Sequence, residues 1–450
     1  MEKILRKGTV SGLPVINFHA AGIDVGSTVM AIAYTDSTGN QCLCKTGCFT
    51  KELSELVNLL GKEGVKDVAM EATGVYWMSL YEMLEDAGIR VTLIHPGHYK
   101  NSSHLKTDEN DSLWIHRYHS CGILRHSHIA SETYRELRNY IHERNVVQKQ
   151  KSETLTRIQR ILTMMNLKLQ HVISDMEGAG GMTILRAIAS GVNQAEALVD
   201  LIDVERFKAS REEIAASLEG IYKTQFVTLL KMKLQEYDFF IHQMKEYEVF
   251  IEETLNKIVA TQEKPTGTPV AKKSKYARKN QYSFDAGQYL QQILGVDLTQ
   301  AEGMDEKMLL DVLSVTGMDM SKWPTSQHFT SWLNLSPRRM KTGGKYIGNE
   351  NRKTNNPATQ AFRISAHSAG INSKGHLGAL YRRLVAKKGK KTATKAVARK
   401  IAVIFYTLVK NKQEYNPLII TKKIKEQEER KLRQLAKLAR KLGYSLQKTA

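Results

Sequence analysis

The sequence is poor in cysteine and proline, and it has no long apolar segment. Its 450 residues include four Cys and eight Pro, and so few cysteines do not form a disulfide framework. Cys42, Cys44 and Cys48 alternate as they would on a strand, which favours a structural role over a zinc site. No apolar run reaches the roughly 18 residues that a membrane span needs, and the first residues are not an apolar signal core. We therefore expect a reduced, cytoplasmic protein that does not cross a membrane.

Acidic residues are scarce towards the C-terminus. The net charge of the chain is +20, and residues 381–450 hold 21 Lys and Arg against four Glu. Such a concentration of cations is typical of proteins that neutralise nucleic-acid phosphates. The alternative is a solvated basic tail. The charge distribution therefore predicts a nucleic-acid partner without separating DNA from RNA.

Short strands and helices alternate in the first third of the chain. Apolar alternation between turn residues predicts strands, and apolar residues at helical spacing predict helices. The predicted strands are 16–26, 29–34, 42–49, 66–70 and 91–94, and the predicted helices are 51–61, 76–87 and 111–124. A three-stranded meander followed by βα units is typical of the RNase H-like (RuvC-like) fold, a mixed sheet with helices on its faces.

Helical patterns dominate the rest of the chain. Two long amphipathic stretches, 131–173 and 211–259, can pair as a coiled coil, with a shorter helical segment at 183–201 between them. Later helical stretches are predicted at 289–332, 361–408 and 421–442. The fold class is thus α/β plus α, with an RNase H-like catalytic domain (15–127), a long helical coiled-coil spacer (128–262), a basic flexible linker (263–284), a mostly helical C-terminal domain (285–415) and a basic helical tail (416–450).

Four carboxylates fall at the ends of the predicted elements. Asp24 ends the first strand, Glu71 ends the strand 66–70, and Asp108 and Asp111 begin the last helix, where a spacing of three puts them on one face. Hard oxygen ligands suit Mg²⁺ or Mn²⁺, and two such ions stabilise both oxygens of an in-line phosphoryl displacement. Glu109 is an alternative to either aspartate. The other interpretation is that these acids merely end a strand and cap a helix.

The residues around these acids resemble a known family. The matching strings are Gly-Ile-Asp-Val-Gly at 22–26, Met-Glu-Ala-Thr-Gly-Val-Tyr-Trp at 70–77, His95-Pro96 with Lys100, and Lys-Thr-Asp-Glu-Asn-Asp at 106–111. They are similar to those of the DEDD recombinases of the insertion sequence one-hundred-and-ten group, which also includes the pilin-gene invertases. The first string alone also occurs in sugar kinases and actin-like ATPases. The resemblance implies a metal-dependent catalytic domain.

A second group of strings resembles the C-terminal transposase domain of the same family. It comprises Gly295–Asp297, Val315–Gly317, Phe329, Trp332–Pro337 and Lys341–Lys345. The family has a serine nucleophile before a Gly-Gly-Lys turn, and here Thr342 holds that place. Ser336 ranks second as nucleophile. The alternative is that the amides of Gly343 and Gly344 only bind a phosphate.

Basic residues surround both groups of strings, and they are expected to position phosphates rather than to read bases. Their alternative is a solvated face. The predicted nucleic-acid contacts are Lys100, Lys106, Arg338, Arg339, Lys341, Gly343, Gly344, Lys345, Arg382, Arg383, Lys387 and Lys388, with Arg352 and Lys353 close by.

The resemblance implies a transposase or site-specific DNA recombinase that cuts and rejoins strands. It further implies a homo-oligomer, a dimer or a tetramer, in which the two domains of different subunits form a composite site, and a noncoding guide RNA encoded by the element. Two alternatives stay open. One is a metal-dependent, structure-selective endonuclease without a covalent intermediate, and the other is a catalytically decayed nucleic-acid-binding relative.

Overall fold

The chain forms two compact units. The computed structural model describes residues 4–5, 14–94, 107–124, 128–261, 281–350 and 356–416, with isolated positions beyond. Unit 1 is Met1–Ile129 and unit 2 is Ala130–Ala450. Lys100, Lys106, Arg352, Lys353, most of the predicted linker and most of the predicted tail helix lie outside the described residues.

Unit 1 is built on a mixed sheet. Its strands are β1 (Ile4–Leu5), β2 (Ala20–Asp24), β3 (Val29–Thr35), β4 (Gln41–Gly47), β5 (Asp67–Glu71) and β6 (Arg90–Ile94), in the order β1-β4-β3-β2-β5-β6. The pairs from β1 to β2 are antiparallel, whereas β2, β5 and β6 are parallel to one another. Its helices are α1 (Thr50–Lys62), α2 (Met78–Asp86) and α3 (Asp108–Ser120). From β2 to α3 the predicted order of strands and helices is confirmed, whereas β1 was not predicted.

Alternating side chains cover the two faces of this sheet. On one face, Ile23 and Met70 pack with the buried leucines of α1 and α2. On the other face, Ala69 and Ile94 pack against Ile115 of α3. A strand alternates its side chains between faces, so residues an even number of positions from Ala69 or Ile94 on their strands face α3.

The start of α3 differs from the prediction by three residues. The pattern placed its first residue at Asp111, but the helix begins at Asp108. The hydroxyl of Thr107 accepts a hydrogen bond from the backbone N–H of Asn110 at 3.2 Å and so caps the first turn. The apolar pattern misses this turn because all four of its residues are polar.

Unit 2 begins with a pair of long antiparallel helices. Its first helices are α4 (Glu132–Met164), α5 (Leu169–Val172), α6 (Ala179–Ala189), α7 (Ala195–Val199), α8 (Arg211–Ser217) and α9 (Thr224–Ala260). The fully buried Arg144 of α4 donates to Glu248 of α9 at 2.7 Å. Both long helices are shorter than predicted: α4 stops where Asn166 takes a positive φ of 58°, and Gly220 packs against the carbonyl of Met165 between α8 and α9.

The rest of unit 2 is mostly helical. It comprises α10 (Ala286–Leu294), α11 (Glu306–Thr316), α12 (Ser326–Trp332), a hairpin of β7 (Arg338–Thr342) and β8 (Lys345–Glu350), α13 (Pro357–Asn372), α14 (His376–Lys388) and α15 (Lys390–Asn411). Phe329 stacks on Phe405, and Phe362 meets both rings edge-to-face, in a core that also includes Leu137 of α4 and Leu255 of α9. The long helices and the C-terminal helices therefore share one core. In the part of the chain that is described, no helix is both long and apolar enough to span a membrane.

Candidate functional site

Two of the predicted carboxylates lie side by side on neighbouring parallel strands. Ile23 of β2 pairs with Met70 of β5, and Asp24 and Glu71 are the residues that directly follow this pair. Neighbouring strands are about 4.8 Å apart, and residues at one level of a parallel pair point to the same face. Glu71 lies two residues after Ala69, so both carboxylates are on the face covered by α3. Glu71 is buried, and its carboxylate accepts a hydrogen bond from the hydroxyl of Thr73 at 3.0 Å.

Helix α3 crosses the sheet close to these acids. A Cβ at Gly22, two residues before Asp24, would lie 2.1 Å from the backbone nitrogen of His116 and 2.7 Å from the carbonyl oxygen of Ser112. Only glycine allows this approach of helix to strand. The carbonyl oxygen of Ser120 at the other end of α3 accepts hydrogen bonds from the backbone of Ile16 and Asn17, which precede β2, so the acidic first turn of α3 lies towards the end of β2 that carries Asp24.

The two aspartates of α3 differ in exposure. Asp111 is 5% exposed, and Asp108 is exposed to solvent. Thr107, rather than Asp108, caps the helix. The alternative that both aspartates are only capping residues is thus not needed to explain how α3 begins.

Glu109 forms an ion pair with a lysine of the sheet. The ammonium of Lys45 on β4 lies 2.8 Å from its carboxylate. The hydrogen bond and the charge of Glu109 raise the pKa of Lys45, and the nearby charge of Asp108 adds to this effect. Glu109 therefore points towards β4, which distinguishes it from its two aspartate neighbours.

His116 holds the middle of α3 on the same sheet. Its ring contacts the hydroxyl of Thr35 and the side-chain amide of Gln41, both at 3.0 Å. Burial lowers the pKa of His116 to about 4, and the neighbouring His119 adds to this shift. The ring is consequently neutral at physiological pH and acts as a hydrogen-bonding residue of the core.

The backbone brings the four acidic residues to one end of the sheet, but their side chains do not form a closed metal site. Among the residues described, no group of three or more His, Cys, Asp or Glu is placed to hold a metal ion. The donor chemistry nevertheless fits a hard divalent cation, because carboxylate oxygens come from two adjacent strand ends and from the start of the helix that covers them.

Thr342 lies at the tip of the β7–β8 hairpin. Gly343 and Gly344 form its two-residue turn with φ values of 55° and 77°, and Thr342 pairs with Lys345 across it. Two central residues with positive φ are typical of the type I′ turn that joins twisted strands. Both the threonine and the lysine are exposed, as is the turn itself.

Ser336, the second candidate nucleophile, has a different environment. Its hydroxyl forms a 3.0 Å hydrogen bond with the hydroxyl of Thr330, which is fully buried at the end of α12. The side chain is half-buried and lies before β7 rather than on the turn. Its hydroxyl is accordingly part of the packing below the hairpin.

Part of this chain matches the model of a known protein family. Residues 21–166 match the DEDD family of the insertion sequence one-hundred-and-ten group, which is described as Transposase. Over these residues the chain is similar to that transposase family. The match begins in β2 and ends just after α4, so it includes Asp24, Glu71, Asp108 and Asp111. No curated protein matches the chain.

The predicted nucleic-acid contacts on α14 have unequal environments. Arg382 donates to the carbonyl oxygens of Gly370 and Ser373 at 3.0 and 2.9 Å, so its guanidinium also closes the C-terminal end of α13. Arg383, Lys387 and Lys388 are exposed. Burial lowers the pKa of His376 at the start of α14, and the cations of Lys400 and Arg383 lower it further.

Two residues that fix α3 on the sheet of unit 1 were not predicted from the sequence. Lys45 is a lone exposed lysine on a strand, and its partnership with Glu109 depends on how β3 and β4 pair, which the sequence does not state. His116 lies four residues after Ser112 and four before Ser120 on the buried face of α3, and this helical spacing was the available signal.

Proposed function

We propose that this chain is a transposase that cuts and rejoins DNA strands through an RNase H-like domain. The observation that carries the proposal is the placement of Asp24 and Glu71 at adjacent parallel strand ends, below the acidic first turn of α3. The strand order β4-β3-β2-β5-β6, with an antiparallel meander beside two parallel strands, supports the RNase H-like assignment. The transposase family match over these same residues supports the assignment to DNA processing.

Asp24, Glu71, Asp108 and Asp111 are the proposed ligands of Mg²⁺ or Mn²⁺. When bound there, the metal would stabilise charge on the oxygens of the reacting phosphate. The Lys45–Glu109 ion pair supports leaving Glu109 out of this set. Burial of Glu71 and Asp111 excludes water from two of the carboxylates and strengthens their interaction with a cation.

Thr342 is the proposed nucleophile of unit 2. Its Oγ1 would form a bond to the phosphorus of a DNA phosphodiester, and the leaving strand would depart with its own oxygen and take up a proton. The exposure of the hairpin turn supports this role, since a DNA phosphate can reach the hydroxyl from solvent. Lys345, paired with Thr342 across the turn, would stabilise the developing negative charge.

The partners proposed are DNA, an element-encoded guide RNA, and further copies of the same chain. In such a homo-oligomer, the carboxylate site of one subunit and the hairpin of another would act on one DNA strand. A structure-selective endonuclease that uses only the four carboxylates is the second candidate. The exposure of Asp108 beside three less accessible acids is compatible with an endonuclease and with a transposase. The products distinguish the two activities, because rejoined strands require recombination.

Replacement of single carboxylates tests the proposal. Asp24→Ala and Asp111→Ala should abolish DNA cleavage and strand transfer, because each removes a ligand without emptying the hydrophobic core. Asp86→Ala, which removes an exposed carboxylate at the end of α2, should retain full activity. Activity is measured on supercoiled and synthetic branched DNA with Mg²⁺, and circular dichroism verifies the fold. Undiminished cleavage in EDTA, or by the Asp24 variant, would contradict the metal site.

A further inference from the structure

Lys45 stands in one row with the proposed metal ligands. Asp24 pairs with Ala31 of β3, and Ala31 pairs with Lys45 of β4. Directly paired residues face the same side of a sheet. The row across the α3 face is therefore Glu71, Asp24, Ala31 and Lys45, and it places one cation at the far side of the acidic pair.

Helix geometry translates the ion pair into an orientation of α3. Successive residues of an α-helix are rotated by about 100°, so Asp111 lies about 200° around the axis from Glu109. Lys45 holds Glu109 over β4. The opposite side of the first turn, which carries Asp111, therefore faces away from β4 and towards β2 and β5, the strands that carry Asp24 and Glu71. The low exposure of Asp111 agrees with this orientation.

His116 alone does not set this orientation. It fixes α3 two turns further along, near Thr35 and Gln41. The first turn has its own anchor in the 2.8 Å contact between Lys45 and Glu109. Both side chains of this pair are about half exposed, and exposed ion pairs contribute little to global stability. Loss of this ion pair should therefore affect the first turn of α3 rather than the stability of the whole unit.

We propose that Lys45 is a positioning residue of the catalytic domain, which holds the first turn of α3 through Glu109 so that Asp108 and Asp111 are presented to Asp24 and Glu71. This inference rests on the proposed metal site. It makes a prediction opposite to that of simple electrostatics. A lysine near a divalent-cation site repels the metal, so its removal would tighten metal binding, whereas loss of a positioning residue weakens it.

The test measures Mn²⁺ binding to the full-length protein by isothermal titration calorimetry. Lys45→Met should raise the Kd for Mn²⁺ about 10-fold, the lower end of the effect of losing an outer partner of a metal site. Lys45→Arg should bind nearly as the original protein does. The exchanged pair Lys45→Glu with Glu109→Lys should recover most of the affinity. Lys62→Met, which removes an exposed lysine at the end of α1, is the matched control and should change nothing.

A second readout needs no metal. In the metal-free protein, hydrogen exchange of the amides at the start of α3 should be several-fold faster in Lys45→Met than in Lys62→Met, because local opening of the first turn becomes easier. Unchanged exchange in this turn, or Mn²⁺ binding as tight as or tighter than that of the original protein, would overturn the role of Lys45.

The two proposals fail in distinguishable ways. If Asp24→Ala binds Mn²⁺ as well as the original protein does, the metal site is wrong, and the role of Lys45 in presenting ligands falls with it. If binding depends on Asp24 but not on Lys45, the site stands and only the positioning role is refuted.

Discussion

Thr342 combines a favourable backbone position with a hindered hydroxyl. Threonine is well suited to the end of a strand, and the turn that follows it is specified by Gly343 and Gly344, whose positive φ values exclude most other residues. A serine at the same place would keep this backbone and expose a primary hydroxyl. The position is therefore compatible with a nucleophile, and the β-branch limits only its rotamers and approach.

Three substitutions of Thr342 separate its oxygen from its shape. Thr342→Ala should eliminate a covalent protein–DNA adduct, and so should Thr342→Val, which keeps the branching and lacks the oxygen. Thr342→Ser should retain or raise adduct formation because its hydroxyl is less hindered. Adducts are formed with nicked suicide DNA substrates, resolved on denaturing gels and mapped by mass spectrometry. An adduct that persists in the alanine variant, or that maps to Ser336, would place the nucleophile elsewhere.

Sequence reasoning could assign those site residues that lie at the end of a predicted strand or at the start of a predicted helix. Asp24 and Glu71 follow apolar strands, and parallel strand ends meet at one edge of a sheet. Lys45 could not be assigned in this way, because its place in one row with Asp24 depends on how β3 pairs with β2 and with β4. The sequence also did not predict the unequal exposure of Asp108 and Asp111, since this depends on how α3 rolls on the sheet.

The contact between α3 and β2 is the packing on which the carboxylate site depends. Gly22 permits the backbone of His116 to lie where a Cβ would otherwise be, and Ser112 approaches from the next turn. The hydrogen bonds of His116 to Thr35 and Gln41 then fix α3 across two further strands. Any residue larger than glycine must lift the helix, and with it the first turn that carries two proposed ligands.

Gly22→Ala should therefore destabilise unit 1 strongly. Its methyl group would meet backbone atoms at 2.1 to 2.7 Å, which cannot move aside as a side-chain end could. We expect a loss of about 3 kcal/mol or more in the free energy of unfolding, the upper part of the range for overpacking. The control is Gly61→Ala in α1, where a Cβ meets nothing within 4 Å and alanine should be neutral or slightly stabilising. Urea denaturation followed by circular dichroism compares them, and similar midpoints for the two variants would contradict the close contact.

Local patterns predicted the elements of unit 1 better than those of unit 2. Strands and helices of the sheet are short and are bounded by turn residues, so their order could be read directly. The two long helices of unit 2 were predicted too long, because the apolar period continues through the breaks at Asn166 and Gly220. The β7–β8 hairpin was not predicted as strands, since its sequence has no apolar alternation.

Positive charge is concentrated in the sequence of unit 2. Among residues 381–450, 21 Lys and Arg stand against four Glu. Burial lowers the pKa of His376, and the cations of Arg383 on α14 and Lys400 on α15 lower it further, so a polyanion bound there would gain contacts with both cations. This arrangement suits an electrostatic role in nucleic-acid binding that is separate from the chemistry of the carboxylate site.

Deletion of residues 421–450 tests that role, because this segment holds ten Lys and Arg against three Glu. The truncated protein should bind nucleic acid more weakly, and the slope of log affinity against log salt should fall by about 0.9 for each duplex phosphate contact that is lost. A matched full-length control replaces the tail cations with Gln. Its slope should fall by the same amount, which shows that the effect depends on charge and not on chain length. Fluorescence anisotropy with duplex DNA and with structured RNA, each over a range of salt, gives the slopes and shows which polymer depends more on the tail. An unchanged slope on both polymers would mean that these cations are a solvated face, and that the phosphate contacts lie on unit 1, the hairpin or α14.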